Sequence, residues 1–287
     1  MRQPRFSLED RVRSHTNMLL DPCGSVLGQT AYRGMDGFVN RFVNTNVLPF
    51  VAGKTGFIHT FYPAYNSTGT QVLNAADSVP VIPLSVGPGQ GFMLQNASSQ
   101  RAIAACCSVT YTGTELNRSG SIYMANLPLS ALEGNKSPNE LLRLCQHVIR
   151  TPDSTIDVKW NPSPIEEEYW TVGAAAPTDG GARNVIVIVG VGFASDTVIN
   201  VTIRNTLIVE WLPQTTLGFQ ATNPSSPDVP GGLEKVRTLL SRAGDWWVQA
   251  AHTAAVAGNM VMRGVNATRG AQRALGGARA AVGLLTL

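Results

Sequence analysis

The run from Asn184 to Phe193, NVIVIVGVGF, constrains the fold more than any other part of this chain. Side chains alternate across a strand. Val185, Val187, Val189, Val191 and Phe193 therefore share one face, and Ile186, Ile188, Gly190 and Gly192 the other. Neither face is polar. A strand that is apolar on both sides must be covered on both, which predicts a central strand of a sandwich.

The following run, Thr197 to Trp211, is β-branched and long, with Ile203, Leu207, Val209 and Trp211 on one face and Arg204, Thr206 and Glu210 on the other. Asp196 and a short polar stretch separate the two runs, which read as neighbouring antiparallel strands. Arg101–Tyr111 and Ser121–Met124, around TGTELNRSG, read as a second pair. Phe38–Val51 and Gly53–Phe61 read as a third, and Thr155–Trp160 and Tyr169–Val172 as further strands. The whole chain carries 28 Gly and 17 Pro, in keeping with the many turns of an all-β fold. One helix interrupts the strands. Ser137 supplies an N-cap, Pro138 the first helical position and Glu140 the third, and Leu141, Leu144, Cys145 and Val148 then follow at helical spacing. About 12 residues are expected in this helix before Thr151-Pro152 ends it.

Composition divides the chain into four parts: an arm of polar, irregular sequence (1–35), a strand-rich domain (36–213), a Pro-rich linker (214–232) and an Ala-rich helical tail containing arginines (233–287). Only 14% of residues are charged, against ~25% in an ordinary soluble domain. So few charges imply large surfaces covered by partner chains. A net charge of +3 excludes a uniformly basic nucleic-acid binder and leaves that role to a segment. No apolar run reaches the ~18 residues of a membrane span, and the first ten residues, MRQPRFSLED, have no apolar signal-peptide region. The cysteines, Cys23, Cys106, Cys107 and Cys145, lack metal-ligand spacing and read as reduced thiols, with Cys106 and Cys107 on opposite faces of one strand.

Catalytic patterns are absent. His15, His59, His147 and His252 stand apart, without the context of a metal site or a nucleophile. Gly87-Pro88-Gly89-Gln90-Gly91 reads as a loop with no helix opening there, and not as a phosphate cradle. No cofactor is expected. Two carboxylate groups, Glu166 with Glu167 and Asp153 with Asp157, are candidates for calcium at a subunit contact, since calcium takes several oxygens. Trp160, Trp170 and Trp211 read as core, and the adjacent Trp246 and Trp247 cannot share one helix face.

The ordered segments resemble a family. Asp21-Pro22-Cys23-Gly24 resembles the turn before its first sandwich strand. Arg101 to Pro128 resembles a strand, loop and strand with a Ser-Gly-Ser-Ile restart, and Asn184 to Pro213 resembles its last two strands. In this order, over roughly residues 20–250, the chain resembles the capsid proteins of nodaviruses and of noda-like or tombus-like RNA viruses. The resemblance implies an all-β fold, an antiparallel jelly-roll β-sandwich with a short inserted helix and a C-terminal helical region. It also implies self-assembly into an icosahedral shell around viral RNA, with the chain in the virion and, during assembly, in the host cytoplasm. Two departures stand out. In place of the long Arg-rich arm of nodavirus coats there are scattered arginines, among them Arg2, Arg5, Arg11 and Arg13. The self-cleavage of those coats at an Asn–Ala bond has its only counterpart near this C-terminus at Asn266-Ala267, with Asp21 as the nearest candidate acid but no residue-by-residue match around it.

The tail offers the other basic segment. Arg263, Arg269, Arg273 and Arg279 follow Asn259 with no acid among them. They suit phosphate neutralisation inside a shell, a contact that weakens with salt. The Ala/Leu/Arg composition also suits an interfacial helix acting on a host membrane, and a helix packed only on protein is the plain alternative. For the whole chain, the rival to a coat protein is a β-sandwich module that binds carbohydrate or protein without assembling.

Overall fold

A computed structural model of the chain describes residues 7–32, 37–49, 53–78, 82, 84–112, 119–145, 147–150, 155–172, 183–194, 200–214 and 231–241. Helix α1 (Leu8–Leu20) precedes β1 (Phe38–Pro49), β2 (Gly56–Tyr62), β3 (Ser67–Leu73) and β4 (Leu84–Val86). Then come α2 (Gln90–Asn96), β5 (Ala97–Tyr111), β6 (Ser121–Pro128), α3 (Pro138–Leu141), β7 (His147–Arg150) and β8 (Ile156–Trp160). The strands end with β9 (Trp170–Thr171), β10 (Asn184–Val191) and β11 (Asn200–Pro213). A last helix, α4, covers 232–241. Residues up to Val236 form one compact unit; of the second, 237–241 are described and continue the helix.

All strand pairs are antiparallel. One sheet has the order β1-β11-β5-β8, with β9 also on β5; the other has the order β4-β3-β2-β10-β6-β7. The first strand lies beside the last over its whole length, from Phe38 opposite Trp211 to Pro49 opposite Asn200. The chain passes repeatedly between the two sheets, and the result is the jelly roll that the sequence predicts.

Every one of the three predicted hairpins is corrected. β10 and β11 lie in different sheets, as do β5 and β6, and β1 and β2. Each pair is consecutive in sequence, yet each connection crosses the sandwich. The turn after β10 shows how. Gly192 has φ +77°, a conformation that costs a residue with a Cβ dearly. The reversal sends Phe193 into the core between the sheets, away from the valine face on which strict alternation places it.

Both faces of β10 are covered, as predicted. Ile186 and Ile188 join Phe57, Phe61, Trp160, Leu207 and others between the sheets. Val185, Val187 and Val189 form an outer cluster with Ile58, Leu127 and Leu141. Leu141 comes from α3, whose capping box is present as expected, with Ser137 Oγ accepting from Glu140 N and Glu140 Oε2 from Ser137 N. The helix itself is shorter than predicted. It ends at Leu141, and after a turn His147–Arg150 pairs with β6. Once Leu141 fills the outer cluster, the residues beyond it add to the edge of the six-stranded sheet, Ile149 opposite Ile122 and Val148 opposite Tyr123.

The arm is also more ordered than its sequence suggests. Ser7 and Asp10 form a reciprocal cap, with Ser7 Oγ accepting from Asp10 N and Asp10 Oδ2 from Ser7 N, both at 3.2 Å. Val12, His15, Thr16 and Leu19 then recur on one buried face of α1. A helix opens at Gln90 as well, correcting the loop expected there; Gly89 caps it in the left-handed region at φ +73°.

Candidate functional site

The best-built polar site lies where the N-terminal segment is fastened to the outer face of the five-stranded sheet. Glu210 on β11 projects there opposite Arg101 on β5, and both side chains are almost wholly buried. Glu210 Oε2 accepts from Arg101 Nη2 at 2.7 Å, Arg101 Nε at 2.9 Å and Thr30 Oγ1 at 2.9 Å. Its Oε1 accepts from Gly37 N at 2.9 Å. The Arg101 guanidinium is stacked between the rings of Tyr32 and Tyr169, 4.1 and 4.2 Å from their centroids. A forked cation between two ring faces that donates twice to one carboxylate oxygen is held in one position.

Further fastenings surround this pair. Arg11 Nε donates to Thr30 O at 2.8 Å, and His15 Nδ1 accepts from Ala31 N at 3.2 Å. Lys159 Nζ on β8 donates to Leu20 O at 2.6 Å, where helical carbonyls favour a cation. Cys23, in the turn that Asp21 Oδ1 closes by accepting from Gly24 N, is disulfide-bonded to Cys106 on β5. This corrects the expectation of four reduced thiols. Cys106 and Cys107 do point to opposite faces, but the outer face is the one α1 delivers Cys23 to, with the two Cα atoms 6.0 Å apart.

A second polar group stitches the two sheets from inside. His59 on β2 sits between Thr70 Oγ1 (2.7 Å from Nδ1) and Asn205 Oδ1 (3.0 Å from Nε2). Asn205 on β11 also accepts from Cys107 Sγ and donates to Asn44 Oδ1, each at 2.9 Å. Burial pushes the His59 ring down to about 4 and the His15 ring down to about 3, the latter helped by Arg101 and Arg11. Burial also pushes the Cys107 thiol well up. These groups are neutral at pH 7 and enclosed, so neither ring nor the thiol can meet a substrate. Their chemistry is that of positioning.

Five of the sequence-predicted site residues are among those described: Arg11, Arg13, Asp157, Glu166 and Glu167. Arg11 is buried in the fastening just described, while Arg13 is exposed on the opposite side of α1. Glu166 is buried, with Oε2 accepting from Ser163 N at 2.8 Å and Oε1 from Asn184 N at 3.1 Å; desolvation raises its pKa. Glu167 gives its carbonyl oxygen to Arg101 Nη1, and Asp157 is exposed on β8. Among the described residues no group of three His, Cys, Asp or Glu is close enough to hold a metal ion. Arg2, Arg5, Asp153, Arg263, Asn266, Ala267, Arg269, Arg273 and Arg279 lie outside the described residues, as do Trp246 and Trp247. Sequence reasoning missed the Arg101–Glu210 pair. Its only signal was a Glu in the outward pattern of an otherwise β-branched strand.

No known protein-family model matches the sequence, and no curated protein is similar to it. Solved structures are. The VP2 subviral particle of infectious bursal disease virus matches with a TM-score of 0.53 and 10% identity, over 80% of this chain and 94% of that one. Weaker likenesses are to a capsid-protein deletion mutant of Penaeus vannamei nodavirus (TM-score 0.36, 12% identity, 61% and 98% covered) and to mud crab tombus-like virus (0.35, 11%, 71% and 94%). At such identities the likeness is one of fold: the chain is built on the antiparallel jelly roll found in viral capsids.

Proposed function

We propose that this chain is a structural coat protein that self-assembles into an icosahedral shell around a viral RNA genome. The observation that carries this reading is the pair of strand orders, β1-β11-β5-β8 and β4-β3-β2-β10-β6-β7, joined to the VP2 likeness over four-fifths of the chain. The low charged fraction supports it, because subunits in a shell bury much of their surface against each other. In this reading the C-terminal tail faces the RNA through Arg263, Arg269, Arg273 and Arg279, and the chain resides in the virion after assembly in the host cytoplasm.

The test is direct. Recombinant full-length chain, passed over a sizing column and viewed by negative-stain microscopy, should give uniform closed particles; a monomer at every salt and pH would overturn the reading. Chain truncated after Gly258 should still form particles, with RNA content per particle at least several-fold lower. Unchanged RNA content would refute the role of the tail and leave the shell standing.

A further inference from the structure

From Phe42 to Gln100 the sequence contains two charged side chains, Lys54 and Asp77. They face each other, Lys54 Nζ lying 4.0 Å from Asp77 Oδ2. The elements built from this stretch therefore present a surface with no charge left to seek a partner of opposite sign. The same elements expose apolar side chains. Of eleven large apolar residues exposed among the described ones, seven lie on one edge of the sandwich. Leu84 and Val86 of β4 are 60% and 64% exposed, Phe92 and Leu94 of α2 41% and 49%, and Phe38 of β1 48%. Val43 and Val47 continue the edge on the outer side of β1, where Arg204, opposite Thr45, begins the charged surface.

These residues are contiguous. Phe38 and Phe92 both pack on Trp211, at 5.3 and 5.4 Å between ring centroids. Asn44 of β1 donates to Val86 O of β4 at 3.5 Å. Leu84, Val86 and Leu94 line one cavity of about 410 Å³ with Met93, Gln100 and Trp170. Two buried polar atoms on this cavity, Gln100 Oε1 and Trp170 Nε1, have no hydrogen-bond partner among the described residues. One accepts and the other donates, the pair of functions a peptide group answers.

Strand edges left open are ordinarily guarded by charges or proline against pairing with another chain. β4, at the edge of its sheet, has neither within it, and β1, at the edge of the other, has a single charge, Arg41, whose guanidinium is tied to Ser25. RNA needs cations that this edge lacks. A sugar needs many polar partners, and the exposed side chains of this edge are mostly apolar. A neutral apolar surface flanked by open strand edges is matched by a surface of the same kind. We infer that this edge, formed by β1, β4 and α2, is a contact between two copies of this chain, meeting across a two-fold axis. The inference rests on the coat-protein reading and names one of its interfaces.

The test compares full-length wild type with the double variant Val86→Lys/Leu94→Lys and the control Leu144→Lys, an exposed apolar site away from this edge. Circular dichroism and melting establish that each is folded. The double variant should yield at least tenfold fewer particles or dimers, and the control should match wild type. Mixing it with Val86→Glu/Leu94→Glu chains should restore association, because an edge that meets itself then pairs Lys with Glu. Wild-type yield from the folded double variant would overturn the inference while leaving the coat reading intact, and loss without rescue on mixing would overturn the two-fold arrangement. A wild-type dimer abolished by the variant, with no particles under any condition, would uphold the contact and overturn the coat reading. A wild-type monomer throughout would overturn both.

Discussion

Replacing Glu210 by glutamine should destabilise the subunit by about 3–5 kcal/mol, the usual result of leaving one member of a buried ion pair without its partner. The structure explains why the loss is that large. Four donors converge on the Glu210 carboxylate, three from Arg101 and Thr30 on Oε2 and one from Gly37 on Oε1. Glutamine keeps the shape but offers one acceptor oxygen, and its amide protons then face the Gly37 N–H or the guanidinium. Arg101 stays buried between Tyr32 and Tyr169 with no counter-charge. Hydrogen bonds to a charged acceptor are worth roughly 1.5–3 kcal/mol and those to a neutral one about 1, so the Thr30 and Gly37 bonds weaken as well. The assay is urea unfolding of unassembled subunit followed by tryptophan fluorescence, with melting temperature as a second readout. At ~2–4 °C per kcal/mol for a chain of this class, the melt should fall by roughly 6–20 °C. The double variant Arg101→Met/Glu210→Leu removes both charges and should recover much of the loss. A Glu210→Gln cost under about 1 kcal/mol, or a double variant no better than the single, would refute the claim that this pair is desolvated and coupled.

Three further outcomes follow from the same structure. Denatured, unreduced protein should titrate two thiols, Cys107 and Cys145; reduction, or Cys23→Ser, opens a loop spanning 83 residues and should cost about 2–4 kcal/mol, and four reactive thiols would refute the bond. His59 and His15 are held neutral when folded, so the unfolded chain binds the extra protons: their stabilisation is full above pH 6.5 and is lost as pH falls towards about 4 for His59 and about 3 for His15. His59→Gln should remove about 1.4 kcal/mol per pH unit from the slope of stability between pH 6 and 4, and an unchanged slope would show the ring to be accessible. Gly190→Ala places a Cβ against the Phe57 ring and 2.6 Å from Phe193 Cε2; urea midpoints should report a loss of about 1–3 kcal/mol, and a neutral result would mean the rings can move aside.

The N-terminal helix marks one limit of legibility. Ser7, Asp10 and the spacing Val12, His15, Thr16, Leu19 were in plain view, yet the mixed charges around them made the segment read as a polar, irregular arm. Arg11 illustrates the reason. Its charge argues for solvent or phosphate, while its burial depends on Thr30 O, 19 residues away, being placed to receive it. Glu166 shows the same: it is drawn inward by the amides of Ser163 and Asn184, a local demand that a run of three glutamates does not reveal.

Local pattern settled the character of the long strands, while β3 and β4 went unread and β7 fell inside the expected helix. The two-sided apolar pattern of Asn184–Val191 required a central, doubly covered position, and β10 occupies it because every alternate side chain has to leave water. The identity of the long strands, the capped start at Ser137 and the opposite faces of Cys106 and Cys107 were local properties, carried by periodicity and short-range hydrogen bonding. Pairing was decided only in three dimensions. The strongest strands, β10 and β11, follow each other in the chain but belong to different sheets, and β1 pairs with β11 across some 150 intervening residues. Alternation fixes which face of a strand is apolar but carries no information about which neighbour its backbone will bond. That choice was made by closing one core between two sheets, with Gly192 turning the chain and Phe193 falling inward. The buried Arg101–Glu210 pair and the Cys23–Cys106 bond exist only because that closure brought distant residues to one face.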